Sequence, residues 1–189
     1  MVLEFIGPFC RLLEEHGARL HADSFRLTGN VRSLATGAAL SGQSLEAMTE
    51  QLYREQTTRQ PLVAGVAQVL DRLDKLADIV FLTAMTPDHY PLRRQHLDEQ
   101  GLSYPMIATK RPKGAVVAEL RRRWSGPIVF VDDLPPNLAG VRRSAPDVRL
   151  LHLMAHEAFR PHLPPLPLDA VGARDWAEAE ATIRGWIVD

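Results

Sequence analysis

Two runs of apolar, largely β-branched residues constrain this chain more than any other feature: Ile79-Val80-Phe81-Leu82 closing on Thr83, and Ile128-Val129-Phe130-Val131 closing on Asp132-Asp133. A strand that is apolar without alternation is covered on both faces, which is the condition of a parallel strand inside an α/β sheet. Helical spacing surrounds both runs, over Val66 to Leu76, 91 to 100 before Gly101, Gly114 to Trp124 and Asn137 to Arg143. Shorter strand signals lie at Pro105 to Ala108 and Val148 to Leu153. Strand and helix therefore alternate from 66 to 153, with connections that return a strand only through a helix. That pattern predicts βαβ units and a mainly parallel, Rossmann-like α/β sheet.

The first sixty residues read differently. Val2, Phe5, Ile6, Phe9, Leu12 and Leu13 recur at helical spacing up to Gly17, and Leu45, Met48, Leu52 and Tyr53 mark a second amphipathic helix capped by Ser44. Residues 21 to 43 are rich in Gly, Ser, Thr and Asn and carry no comparable strand pattern. Pro161 to Pro167 predicts a loop, and Trp176 to Ile187 a closing helix. The organisation expected is a small helical region over 1–60 and an α/β core over 61–189, integrated as one domain.

Composition narrows the function classes. With 22 Lys and Arg against 23 Asp and Glu, the net charge is -1, so no overall field holds a polyanion, and neither a nucleic acid nor a membrane surface is the expected partner. No apolar run reaches the 18 or so residues that cross a bilayer. Cys10 is the single cysteine, which excludes an internal disulfide and fits a reducing cytoplasm.

In an open parallel sheet, ligands bind at the carboxyl ends of the strands. Thr83 and the Asp132-Asp133 pair end the two strong strands, and Lys113 opens the helix between them. A strand-end hydroxyl can bond a phosphoryl oxygen, and the helix starting at Thr86-Pro87 would turn free N–H groups toward an anion. A cation at Lys113 opposes the helix dipole, so a need for positive charge there would explain it. A carboxylate at a buried strand end needs compensation. Asp133 could cap the next helix, whereas Asp132 could meet Mg²⁺, which takes one or two carboxylates together with waters and phosphate oxygens.

These residues, in this order and in these strand contexts, resemble the haloacid dehalogenase (HAD) superfamily over about residues 62–155. The resemblance implies a Mg²⁺-dependent phosphohydrolase acting on a small phosphorylated metabolite through an aspartyl-phosphate. Thr83 matches the family's second motif, which orients the phosphoryl group. Lys113, or failing it Lys110, matches the third, which stabilises the charge on nucleophile and phosphate. Asp132 and Asp133 match the acidic fourth motif, with metal binding implied for both. Residues 1–60 look like the family's small cap. The departure lies in the first motif, an Asp-x-Asp strand whose first carboxylate attacks phosphorus. None of the 189 residues supplies it: Asp23, in His21-Ala22-Asp23-Ser24-Phe25, follows no strand and has Phe25 in the second position. The expectation is that Met1 is an internal start, that a short N-terminal extension carries the missing strand, and that the chain as given is inactive. The alternative is a non-catalytic phosphate-binding or regulatory pseudoenzyme. A response-regulator-like receiver is excluded by the order of the acids, Thr and Lys.

Other signals are read as structural. His152 and His156 lack a third ligand, Arg121-Arg122-Arg123 reads as a solvated helix face, and Trp124, Trp176 and Trp186 read as packing anchors. Cys10 lies on the apolar stripe of its helix, while Asp88, His89, Arg93 and Arg94 read as a solvated face that could touch substrate. An open sheet edge would show itself as self-association.

Overall fold

The computed structural model describes residues 1–154 and 156–188, and among them it is a mixed α/β protein made of two compact units. One unit comprises Val2–Leu62 together with residues 156–164. Its first helix, α1 (Ile6–Glu15), buries Phe9, Leu12 and Leu13, one apolar stripe at helical spacing. Beyond Gly17, which holds the left-handed conformation that ends the helix (φ 68°), β1 (Ala18–Leu20) pairs antiparallel with β2 (Val31–Ser33). This hairpin corrects the expectation of loop alone between the first two helices. Asn30 secures its turn, donating through Nδ2 to the carbonyls of Ser24 and Arg26 at 2.9 Å each.

The second helix, α2 (Gly42–Arg54), is capped by Ser41 rather than Ser44. Ser41 has extended backbone, and its Oγ accepts the Ser44 N–H at 3.1 Å. Leu45 and Leu52 join Phe9, Leu12, Leu13, Ala18 and Val31 in the core of this unit. A short helix, α3 (Gln56–Arg59), follows, and its Arg59 holds Glu15 at 2.7 Å. Leu3 bridges antiparallel to Leu62. Within 156–164, residues Glu157–His162 form a 3₁₀ turn where the sequence predicts a loop starting at Pro161.

The other unit comprises Met1, Val63–Met154 and the residues from Pro165 on. Helix α4 (Val66–Asp74) buries Val66, Val69, Leu70 and Leu73. Strand β3 (Phe81–Thr83) leads through a 3₁₀ turn, Pro87–His89, into α5 (Tyr90–Glu99). A left-handed Gly101 ends α5, with Gly101 N–H on the Asp98 carbonyl and Leu102 N–H on that of Leu97, both at 2.9 Å. Then follow β4 (Met106–Ala108), α6 (Lys113–Arg123), β5 (Val129–Asp132), α7 (Pro135–Ser144), β6 (Arg149–Leu153), β7 (Ala170–Ala173) and α8 (Trp176–Val188).

These strands form two ladders, both parallel: β3 with β4, and β5 with β6 with β7. β7 has no counterpart in the sequence reading. β3 also departs from expectation, since Phe81, Leu82 and Thr83 are only half-buried and Val80 is 37% exposed, while β6 is buried from Leu150 to Leu153. The core of this unit lies under β5 and β6, where Val117, Phe130, Leu138, Val141, Ala145, Val148 and Leu150 cluster. Helices α6 and α7 pack closely because Gly114 has no side chain: a Cβ there would lie 2.5 Å from the Gly140 carbonyl oxygen. Trp176 is buried as expected, but Trp124, just past the end of α6, is 50% exposed.

Candidate functional site

The carboxyl end of β5 gathers the polar groups of the second unit. Asp132 is fully buried at the last position of that strand. Its Oδ1 accepts the Leu134 N–H at 2.8 Å, closing an Asx turn, and accepts Asn137 Nδ2 at 3.0 Å. Its Oδ2 accepts Lys113 Nζ at 2.6 Å. The sequence explains the placement locally. Val129, Phe130 and Val131 extend the strand, and Pro135 and Pro136 start α7 without needing the N–H groups they lack.

Helix polarity then sorts the charges. Asp132 stands before the N-terminus of α7, where an anion is favoured, and Lys113 stands in the first turn of α6, where a cation is disfavoured. The ion pair offsets the second effect. It is only 14% exposed on the lysine side, so screening by water is weak.

Asp133 is half-buried. Its backbone carbonyl accepts a hydrogen bond from His152 Nε2 at 3.0 Å, which gives buried His152 a structural partner. The Met1 amine shares this corner: burial pushes it below the usual α-amino range, Asp133 and Asp132 act against that, and Lys113 and Arg93 reinforce it. The Met1 carbonyl accepts Trp176 Nε1–H at 2.8 Å.

The sequence-derived candidates therefore divide. Lys113 and Asp132 are in direct contact, and Asp133 is adjacent. Thr83 stands in the other ladder, where its Oγ1 accepts the Met85 N–H at 3.3 Å and its carbonyl accepts the Thr109 N–H at 3.0 Å. Lys110 is exposed in the loop before α6. Arg94 serves the fold, reaching the Tyr104 carbonyl at 2.6 Å, the Leu102 carbonyl and Asp98. Asp23 is exposed in the first unit. Asn137 is the member that sequence reasoning left unassigned, and its place five residues after Asp132, in the first turn of the following helix, is the signal that could have found it.

A carboxylate offers about four lone-pair directions, and three donors already occupy Asp132, so about one direction remains, on Oδ2. Among the described residues no group of three or more His, Cys, Asp and Glu could hold a metal ion. The residues present thus fit Mg²⁺ only through one or two carboxylates, Asp132 and Asp133, with waters or a ligand's oxygens completing the shell. The same saturation excludes Asp132 as an attacking nucleophile, since its oxygens carry an ammonium, an amide and a backbone N–H.

No protein-family model, no curated protein and no solved structure matches this chain. No helix among the described residues is long and apolar enough to cross a membrane.

Proposed function

We propose that this chain is the phosphate-handling part of a HAD-type hydrolase that acts on a small phosphorylated metabolite in the cytoplasm, with a Rossmann-like core over 61–189 and a helical cap over 1–60. The observation that carries the reading is the Lys113–Asp132 pair at 2.6 Å, at the carboxyl end of a parallel strand and between two helix N-termini. A lysine desolvated at a helix start, and tied to a strand-end carboxylate, is costly as a structural device and suited to an anion.

In this reading Lys113 turns its ammonium toward an oxygen of the phosphoryl group, and the first-turn N–H groups of α6 add a second, neutral contribution. Thr83 at the end of β3 offers a hydroxyl to another oxygen. Asn137 and the Leu134 N–H hold Asp132 in one rotamer, so the position of Lys113 is fixed in advance. Asp132 and Asp133 would hold Mg²⁺, which would neutralise part of the phosphoryl charge. Hydrolysis through a covalent intermediate also needs a carboxylate free to attack phosphorus, and Asp132, which holds Lys113, Asn137 and the Leu134 N–H, is not one. The 189 residues by themselves therefore bind without turnover.

The test is a titration with inorganic phosphate followed by amide NMR, beside an assay of phosphomonoester hydrolysis with and without Mg²⁺. The expected result is shifts at Lys113, Gly114, Asn137 and Thr83, abolished in Lys113→Met, with no phosphate released. Absence of those shifts in the folded wild-type chain overturns the reading, and Mg²⁺-dependent release that disappears in Asp132→Ala overturns the inactivity.

A further inference from the structure

The ends of α6 and α7 are both rich in arginine. Residues 120–128 carry Arg121, Arg122 and Arg123 without an acid, and residues 141–149 carry Arg142, Arg143 and Arg149 with Asp147 alone. Hydrogen bonds bring these two segments together at the amino ends of β5 and β6. Arg121 donates through Nε to Asp147 and through Nη1 to the carbonyls of Trp124 and Gly126, and the Ile128 carbonyl accepts the Arg149 N–H at 3.0 Å. One corner therefore sets six guanidinium groups against one carboxylate, in a chain whose net charge is -1. The overall balance that speaks against a polyanion partner hides this local surplus.

The helix dipole favours a cation in each last turn, which accounts for part of the surplus. It does not account for what is left over. Asp147 is committed to Arg121. Arg142 gives Nη1 to the Pro146 carbonyl, while its buried Nε finds no acceptor among the described residues. A buried N–H without a partner is uncommon and costly, so the corner holds more donors than acceptors. Arg122, Arg123 and Arg143 are exposed. Two flat surfaces lie among these charges. Trp124 is half-exposed, and its backbone is fixed from both sides, with its N–H on the Leu120 carbonyl at 3.1 Å and its own carbonyl on Arg121. The exposed Arg149 lays its guanidinium over the Trp186 ring, 5.8 Å from the centroid.

We propose that this corner, at the opposite end of β5 from Asp132, binds single-stranded nucleic acid without reading its sequence. Phosphates supply the acceptors that the guanidinium groups lack, and unpaired bases stack on the Trp124 indole and on the Arg149 plane. The occupant must be an anion that also carries flat apolar faces. An acidic peptide answers the arginines but leaves Trp124 unexplained. An anionic lipid surface calls for an apolar face to insert, and Trp124 is followed by exposed Ser125, Gly126 and Pro127. A duplex keeps its bases stacked on one another and offers Trp124 no partner.

This site is separate from the Lys113–Asp132 pair, so it stands or fails independently of the phosphate-handling reading. The test is fluorescence anisotropy of labelled single strands of about twelve thymidines or about twelve uridines, beside a duplex of equal length. Phosphate contacts by Arg122, Arg123 and Arg143, at about 0.7 each, predict a slope of about −2 in log affinity against log salt, and changing all three to Gln should flatten it. Trp124→Leu should weaken binding by about tenfold or more with the slope unchanged, and Trp124→Tyr, which keeps a ring, should restore most of the loss. In the wild type, the NMR signal of the Trp124 indole N–H should shift on adding the single strand, which gives the same answer without a variant. The tighter of the two single strands identifies DNA or RNA as the source. No binding at about 50 mM salt, a duplex bound as tightly as the single strand, or an unmoved indole signal overturns the proposal. Equal binding of poly-glutamate or of phosphatidylserine vesicles overturns it too, since the corner would then answer to charge alone.

Discussion

Replacing Gly114 by Ala tests how the site is held. In helix α6 alone, the change is favourable by up to about 1 kcal/mol, because Ala has the higher helix propensity. The packing opposes it: the new Cβ would lie 2.5 Å from the Gly140 carbonyl oxygen, 2.7 Å from its carbon and 3.0 Å from Ser144 Oγ. Carbon–oxygen contacts settle at about 3.3 Å or more, so the two helices must part by roughly 0.8 Å at a point where both neighbours are backbone. Overpacking of this kind costs about 1–3 kcal/mol, and the net expectation after the propensity gain is a loss of up to about 2 kcal/mol. For a chain of this length that lowers Tm by up to about 8 °C. Because residue 114 follows Lys113, the same shift pulls the ammonium away from Asp132, and phosphate binding weakens with stability. Gly140→Ala is the control, since a Cβ there meets nothing within 4 Å and sits inside α7; it should be neutral or stabilise by about 1 kcal/mol. Thermal and urea denaturation of both variants decides the matter. A Gly114→Ala protein as stable as Gly140→Ala would refute the argument.

Asp132→Asn keeps an acceptor for the Leu134 N–H but sets an amide N–H against the Lys113 ammonium, so urea denaturation at neutral pH should show a loss of about 2–4 kcal/mol. Combined with Lys113→Met, the loss should be smaller than the sum of the single changes; strict additivity would show that the pair contributes no coupling. Glu180 in α8 is held at about 2 by the Arg72 guanidinium, bonded at 2.8 Å, against the opposing effect of burial and with help from Arg184 at 2.9 Å. Its folded value lies below the unfolded carboxylate value of about 4.3, so its contribution is complete above that pH and is lost as pH falls toward 2. The urea midpoint of the wild type should therefore drop more steeply between pH 5 and pH 2 than that of Glu180→Gln, and parallel curves would contradict the assignment.

What could be read in advance was what the chain states locally. β5 carries a continuous apolar run and β6 a shorter strand signal, and both formed where they were expected. β1, β2 and β7 are stated by their partners instead. Ala18-Arg19-Leu20 and Val31-Arg32-Ser33 are three residues each, paired because α1 ends at Gly17 and Asn30 ties the turn, and Ala170 to Ala173 includes Gly172, a poor strand former that β6 recruits. Ser41 and Ser44 are equivalent as letters, and only the extended backbone of Ser41 makes it the cap. Trp124 has the composition of an anchor but falls past the last turn of α6, with its carbonyl serving Arg121. In the site, strand ends and helix starts exposed Lys113 and Asp132 to sequence reasoning. Asn137 and the Gly114–Gly140 contact were hidden because each is defined by an atom on another element.

The saturation of Asp132 changes the weight of the remaining groups. A buried carboxylate that accepts an ammonium, an amide and a backbone N–H is compensated where it stands, so it does not require a metal to exist in the fold. What the pair does require is a reason for the lysine, whose ammonium opposes the dipole of its own helix and is mostly removed from water. In the proposed reading an anion at the carboxyl end of the strands would supply that reason, because it would share the ammonium with Asp132 and use the helix N–H groups the lysine otherwise opposes. Thr83 can join such an anion only if β3 and β5 keep a constant separation, and in the present ladders that separation rests on the packing of Leu82 rather than on backbone hydrogen bonds. Under the proposed reading, the affinity for phosphate should therefore fall when Leu82 is cut back to Ala, and an unchanged affinity in a folded Leu82→Ala chain would refute the dependence.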